Sequence, residues 1–311
     1  MQRPVVHRLL REYSKRELPA WGRLLSAFGV NGARFDDRWK DAPTLTIRGK
    51  LHHYLMELDL SNWSDRHTYF LERYYDLPAQ LLLMELLRPG DRAVDVGANN
   101  GMLTLLMARL VGEEGSVDAL EPNPVCVARI RRSLELNNLS QVRLHVCAVG
   151  DTEGTATLRQ TSPHTGTSTL GALPETERGG IHREFTVRVA TGDSILLSDF
   201  RPVRVLKMDV EGYECSALRG LRGLIDRDHP AIITEVDARW LARCGGTPHD
   251  LELLLRDRGY APFSFNAPRV GLKRKLVTEA ITELAADMKG DVLWIHADQA
   301  MLSESCQSAN H

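Results

Sequence analysis

Short apolar runs alternate along this chain with stretches in which apolar residues recur every three to four positions, the pattern of strands alternating with amphipathic helices. Val5 to Phe28 predicts a helix, with Leu9, Leu10, Leu18, Trp21, Leu24, Leu25 and Phe28 set among basic residues. Asp36 to Pro43 is polar and loop-like. Leu45 to Leu60 predicts a strand or hairpin, and Ser61 to Asp76 is aromatic and charged. Ala79 to Leu87 predicts a helix closed by Pro89 and Gly90. From Ala93 onward the alternation is regular. Strands are predicted at Ala93–Val96, Ser116–Leu120, Val142–Val149, Val205–Val210, Ala231–Val236, Tyr260–Phe265 and Val292–His296. Between them, Met102–Val111, Val125–Leu136 and Ser216–Ile225 read as helices. Seven strands in such an order predict an α/β domain, a mostly parallel sheet with helices on both faces. The last two strands lack the full βαβ spacing, which allows one antiparallel strand at the edge.

The alternation lapses from Asp151 to Asp193. Thr155–Arg159 and Phe185–Val189 predict two short strands, and Thr161 to His182 between them is rich in Thr, Ser, Gly and Pro. A polar insertion of this length inside a compact domain predicts a lid over a site, with a plainly mobile loop as the equal alternative. The domain plan is therefore an N-terminal helical cap over 1–78, a main domain over 79–298 with a lid-like insertion at 152–192, and a tail at 299–311.

Composition narrows the function. Hydrophobic residues make up 43% of the chain, enough for a substantial core. The formal net charge of -2 supplies no basic field for gripping nucleic acid. No run of 18 apolar residues is present, so no membrane span is predicted, and Met1 to Leu10 lacks the apolar segment of a signal peptide. The five cysteines are scattered, odd in number and without a C-x-x-C pair. That usage predicts reduced thiols in a cytoplasmic protein and argues against structural zinc.

The chemistry concentrates at strand ends. Ala93-Val-Asp-Val-Gly-Ala-Asn-Asn-Gly101 reads as strand, glycine turn and helix start, the opening unit of a nucleotide-binding α/β domain. Asn99 stands where a dinucleotide fold has its second glycine, so close approach of a pyrophosphate is disfavoured. Asp95 is expected to place a carboxylate at the mouth of the turn, where it would repel phosphate and suit an ammonium. S-Adenosylmethionine has that cationic, phosphate-free end. Glu121 ends the second strand, where an acidic side chain accepts two hydrogen bonds from ribose hydroxyls. Asn123 is placed to cap the helix that begins near Pro124. Val149-Gly150-Asp151 ends the third strand. Asp151 is expected beside the adenine amine, with Ala148 or Val149 offering backbone groups to the ring, although a plain turn aspartate explains Asp151 equally well.

Lys207-Met-Asp-Val-Glu-Gly212 is the second cluster. Strand periodicity puts Lys207 and Asp209 on one face, and charge inside an apolar strand is costly unless paired or functional. Asp209 is the candidate general base or metal ligand, with Lys207 and Glu235 as supporting residues. Carboxylates gathered at one sheet edge would bind a divalent cation such as magnesium or share a proton, and spacing does not choose between them. His164 and His182 flank the insertion, and His164 would act as a base on lid closure. His249 is placed at a helix start and His296 in the last strand. Arg129 to Arg132 reads as a solvated helix face.

Taken together, Asp95-Val-Gly-Ala-Asn-Asn-Gly101, Glu121-Pro-Asn123, Ala148-Val-Gly-Asp151 and Lys207-Met-Asp-Val-Glu-Gly212 resemble the ordered motifs of FkbM-type methyltransferases, of the class I S-adenosylmethionine-dependent superfamily. The resemblance covers roughly residues 85 to 240. It implies a Rossmann-like sheet of seven strands whose last strand inserts antiparallel. It implies that Asp95, Gly97, Ala98, Asn99 and Gly101 surround the methionine end of the cofactor. Glu121, with Pro122 and Asn123, would hold the ribose, Ala148 and Asp151 would lie near adenine, and Asp209 and Glu211 would face the acceptor. The expected activity is methylation of a hydroxyl on a small natural product or sugar. Rival readings are N-methylation of a small-molecule amine, a nicotinamide oxidoreductase, and a non-catalytic cofactor-binding scaffold. The N-terminal segment is expected to dimerise, cover the site or complete the fold.

Overall fold

The apolar runs become strands and the amphipathic stretches become helices in the predicted order, in a computed structural model that describes residues 4–173, 180–271 and 273–299. The N-terminal part comprises α1 (Pro4–Ser14), α2 (Trp21–Ala27), α3 (Asp36–Trp39), β1 (Thr44–Arg48), β2 (Leu55–Asp59), α4 (Trp63–Leu71) and α5 (Leu77–Leu86). The alternating part begins with β3 (Arg92–Val96), α6 (Met102–Val111), β4 (Ser116–Leu120), α7 (Pro124–Asn137) and β5 (Val142–His145). β6 (Ala148–Val149) follows, and the insertion carries β7 (Gly154–Gln160), β8 (Ser168–Thr169) and β9 (Arg183–Ala190). Next come α8 (Gly192–Leu196), β10 (Val203–Met208), α9 (Glu214–Gly220), α10 (Arg222–Asp228), β11 (Ala231–Asp237), α11 (Ala238–Arg243) and α12 (Pro248–Arg256). The chain closes with β12 (Tyr260–Asn266), β13 (Arg269–Val270), β14 (Lys273–Arg274), β15 (Val277–Ala280) and β16 (Lys289–His296).

The main sheet runs β15-β12-β16-β11-β10-β3-β4-β5. Neighbours from β11 to β5 are parallel, whereas β16 is antiparallel to both β11 and β12. The antiparallel strand is thus inserted between two others, as the resemblance implied, and does not lie at the edge that the spacing allowed. No helix separates β12 from β16 among the described residues; the chain returns through β13, β14 and β15 instead of a crossover helix, and β16 pairs antiparallel. The seven expected strands are joined by an eighth, β15, at the edge.

Every residue of β3 and β4 is buried, the consequence of helices covering both faces. One face packs Leu105, Met107 and Val117 against Leu10, Leu25, Met56, Leu58 and Phe70. The N-terminal segment therefore continues the core of that face, and the predicted boundary at 78 falls inside α5. The opposite face buries Val94, Leu206, Leu218, Leu224 and Trp294.

Other expectations need correction. The helix predicted from Val5 to Phe28 breaks into α1 and α2, because Pro19 withholds a backbone donor and Glu17 and Ala20 turn with φ of 50° and 63°. The strand predicted over Val142–Val149 is two strands in two sheets: β5 stays in the main sheet, while β6 pairs with β9. The helix predicted over Ser216–Ile225 divides at Leu221 into α9 and α10. The insertion is more regular than expected, its β7, β8 and β9 joining β6 in a four-stranded sheet of order β6-β9-β7-β8.

Register sets the site. Met208 lies opposite Val96, Val96 opposite Leu120, and Met208 opposite Thr234. The next residues, Gly97, Glu121, Asp209 and Glu235, therefore all emerge at one level along the carboxyl edge of the sheet. That edge, with its parallel strands, is where open α/β sheets bind ligands.

Candidate active site

Gly97, Asn99 and Gly101 all take positive φ, at 73°, 49° and 77°. A Cβ on Gly97 would fall 1.8 Å from the carbonyl oxygen of Asp209, so only glycine lets the turn lie against the end of β10. The amides of Gly97 and Ala98 donate to the Leu120 carbonyl at 2.9 and 3.2 Å, locking the turn to β4. Glu121 completes it: Oε2 accepts from the Asn99 amide at 2.7 Å and Oε1 from the Asn123 amide at 2.8 Å. Burial pushes the Glu121 carboxyl up to about 7, against the opposing pull of those two amides and of Lys207. Each oxygen has a further lone pair to offer a ligand.

A cavity of about 480 Å³ opens beside this turn, lined by Gly97, Ala98, Asn99, Glu121, Pro122 and Ala148. Lys207, Asp209, Glu235 and His164 also line it. The remaining four residues expected around a cofactor lie outside its lining. Asp95 is fully buried and is not at the mouth, because both faces of β3 are covered. Its Oδ2 accepts from the Thr104 hydroxyl at 2.6 Å. Gly101 starts α6 and packs on Ile130, where a Cβ would approach Cγ1 to 3.1 Å. Asn123 caps α7 by accepting from the Val125 amide at 3.0 Å, and its Nδ2 donates to the Ser168 hydroxyl at 3.1 Å. Asp151 is exposed and holds Ser216, whose hydroxyl donates to Oδ1 at 3.1 Å. The wall expected from Asp151 is instead supplied by Cys147, Ala148 and Val149.

The second motif forms a charged edge. Lys207 Nζ donates to the Gly97 carbonyl at 3.0 Å and lies 3.4 Å from Asp95 and 3.7 Å from Asp209. Burial alone would lower its pKa, but the Asp95 and Asp209 carboxylates outweigh burial and raise it. Lys207 is therefore a fixed cation that ties Asp209 to the turn, and not a proton acceptor. The side chain of Asp209 is 40% exposed, so its carboxylate reaches the cavity. Burial, reinforced by Asp209 and Glu211, pushes Glu235 up to about 10. That direction favours the protonated form of Glu235, which can act as a hydrogen-bond donor. Burial and Asp209 likewise raise Glu211, whose backbone carbonyl accepts from the Thr169 hydroxyl at 2.8 Å. One carboxylate oxygen from each of Asp209, Glu211 and Glu235 lies within 4.8 Å of the others. These are donors of the type magnesium takes, but a proton relieves the same repulsion, and the three oxygens alone do not define a metal centre.

His164 lines the cavity with both ring nitrogens engaged. Nε2 lies 2.7 Å from Asp36 and Nδ1 3.1 Å from the Asn62 side chain, so it serves as a tie and not as the expected base. Next to it the Thr165 hydroxyl donates to Asn99 Oδ1 at 2.7 Å, fastening the insertion onto the turn. Ser162 and His164 to Ser168, from the insertion, line the cavity. Sequence reasoning missed the other wall, which comes from the N-terminal part: Asn62, Trp63, Asp65, Tyr74 and Tyr75. The aromatic, charged stretch Ser61–Asp76 was the visible signal. Arg129 is no solvated charge either, since it pairs with Asp65 at 2.8 Å and Asp59 at 3.5 Å and pins α7 to this wall.

The donor set suits a nucleoside with an amino-acid end. Glu121 offers a bidentate carboxylate to a ribose diol, and Leu120, Cys147 and Val149 offer an apolar slot to a base. Asn100, buried in the cavity wall, has an Oδ1 with no partner among the described residues, an acceptor suited to an ammonium. No phosphate-binding glycine pattern accompanies them.

The family profile described as "Methyltransferase FkbM domain" matches residues 95–262. A protein named "Methyltransferase 1" from Beauveria bassiana is 32% identical over 186 residues, covering 54% of this chain and 71% of that protein. A tRNA (adenine(58)-N(1))-methyltransferase of Thermus thermophilus is 34% identical over 79 residues, 25% of this chain and 31% of its own length. Among solved structures, one described as methyltransferase FkbM from Methylobacillus flagellatus aligns with a TM-score of 0.40 at 16% identity, over 76% of this chain. The chain spans about half the length of that structure, 54%.

Proposed function

The chain belongs to the FkbM family of S-adenosylmethionine-dependent methyltransferases, and on that premise we propose that it methylates a hydroxyl group of a small natural product or sugar. The observation that carries this reading is Asp209, a carboxylate open to the cavity and positioned by a buried lysine beside the turn that receives the cofactor.

When bound, S-adenosylmethionine supplies a methyl carbon already activated by its sulfonium charge. The protein's part is to align and to move a proton. Glu121 and the turn Gly97–Asn99 would hold the nucleoside, and Asn100 with Asp65 would receive the ammonium end. Lys207 holds Asp209 in place, and Asp209 accepts the proton of the acceptor hydroxyl. With the donor bound, Asp209 would take the acceptor's O–H proton as the acceptor oxygen receives the methyl group and the sulfur leaves as the neutral thioether. Glu235, protonated, donates a hydrogen bond to the acceptor or to Asp209. The segment Ser162–Ser168 excludes water.

The test is a screen of hydroxylated acceptors with methyl-labelled S-adenosylmethionine, run with the wild type and Asp209→Asn. Label in an ether linkage, lost in the variant, supports the assignment. Label transferred equally well by Asp209→Asn removes Asp209 from the role of base.

A further inference from the structure

Beyond Asp209 a second cavity of about 370 Å³ is lined by residues of α5, β10, β11 and β16. It shares Tyr74, Tyr75, Lys207, Asp209 and Glu235 with the first, so the two cavities meet at the proposed base. Part of its lining is apolar, from Leu83, Leu103 and Ile233. The rest brings Asp76, at the start of α5, and Asp291, from β16, to the same space as Asp209 and Glu235. Its two lysines are already engaged: Lys207 with Asp95 and Asp209, and Lys289 with Asp237 at 3.6 Å. Among the described residues no ion pair within 4.0 Å reaches Asp76, Glu235 or Asp291. Burial, together with Asp76 and Asp209, pushes Asp291 up to about 7. Asp76 and Asp291 face each other across this half-apolar space with, among the described residues, no cation within 4.0 Å of either, a carboxyl pair that favours a ligand that is itself positive.

We propose that this second cavity is the acceptor chamber and that it selects a hydroxyl-bearing acceptor carrying a primary ammonium, held by Asp76 and Asp291 while the hydroxyl meets Asp209. The inference rests on the methyltransferase reading and adds the acceptor class to it. It also accounts for transfer to oxygen. An amine held as ammonium between carboxylates has no lone pair to attack a methyl carbon. The neighbouring hydroxyl keeps its lone pairs and has Asp209 to take its proton. Tyr74 and Tyr75, at the junction, give an apolar face against which a saturated ring can pack.

The experiment is calorimetric titration of the full chain, saturated with S-adenosylhomocysteine, with glucosamine and with N-acetylglucosamine. These sugars differ in the charge at nitrogen. Glucosamine is expected to bind about tenfold more tightly, as one charge-assisted contact to a carboxylate warrants. In Asp76→Asn and Asp291→Asn that preference is expected to fall to about twofold or less. Asn keeps the capping acceptor that Asp76 supplies to α5, and unchanged S-adenosylhomocysteine affinity reports that each variant is folded. Equal affinity for the two sugars, no binding of either, or a preference that survives both substitutions overturns the inference. Failure of the protein to bind S-adenosylhomocysteine at all would instead sink the reading on which it rests.

Discussion

The ammonium of Lys207 lies 3.4 Å from the carboxylate of Asp95, and both side chains are buried beneath the turn that Glu121 and Asn99 close. Through this pair the first strand of the nucleotide unit is linked to the strand that ends in Asp209, and the same ammonium reaches the Gly97 carbonyl at 3.0 Å. Lys207→Met would leave Asp95 as an uncompensated buried charge. A loss of about 3 kcal/mol or more is expected in urea unfolding. A loss under about 1 kcal/mol, a size typical of exposed pairs, would show that the pair contributes little.

Glu121 predicts a pH dependence of binding. Burial pushes its carboxyl up to about 7, and in the proposed role ribose hydroxyls would donate to the ionised form. Affinity for S-adenosylhomocysteine should therefore weaken as pH falls through 7, approaching about tenfold per unit well below it. Glu121→Gln should bind weakly and show no such slope. The raised value also has a consequence for folding. Between the ordinary carboxyl value of 4.5 and about 7, the folded protein holds a proton that the unfolded chain has released. This group's contribution to stability therefore falls as pH rises through that window and levels off above it. Titrations and melts of the ligand-free protein across that range check both signs.

The insertion is expected to govern release. Thr165→Val deletes the hydroxyl bond to Asn99, and His164→Ala deletes the ties to Asp36 and Asn62. Each variant should lose S-adenosylhomocysteine several-fold faster, about 1 kcal/mol per hydrogen bond, with little change in association. Stopped-flow dissociation measures this directly. Unchanged release rates would make the covering segment a passive wall.

Asp209 and Glu235 are separable by substitution. Asp209→Asn should bind cofactor within about threefold of the wild type and lose roughly 10²- to 10⁴-fold in transfer, the span of general-base catalysis. Glu235→Gln, which keeps a donor where a protonated carboxyl donated, should lose less than about tenfold. The reverse ranking would exchange their roles. Full transfer in the presence of a chelator would show that no divalent cation joins them.

Strand ends were legible because a parallel sheet buries its strands outright. Val94, Val96, Leu206 and Met208 are apolar for that reason, and the residues at the ends of their strands form the site. Glycine spacing marked the turn, and Glu121 and Asp209 fall where a residue just after a strand must fall. The depth of Asp95 was not legible. A carboxylate inside a strand reads the same whether it faces a ligand or a buried lysine, and only the register of Lys207 opposite Asp95 decides. Asp151 misled for a related reason, since β6 leaves the main sheet and carries the succeeding turn outward. The wall from Asn62 to Tyr75 was out of reach because its place depends on tertiary contacts, such as Arg129 with Asp65, that join residues far apart in the chain.

On the proposed reading, the cavity around Glu121 takes a nucleoside with an amino-acid end and not a dinucleotide. Parallel calorimetric titrations with S-adenosylhomocysteine and with NAD, on the wild type and on Glu121→Gln, test this directly. One S-adenosylhomocysteine site per chain and no NAD binding are expected. The variant should bind at least about tenfold more weakly, the loss expected for a charge-assisted contact. NAD binding without S-adenosylhomocysteine binding, or an affinity indifferent to Glu121, would contradict it.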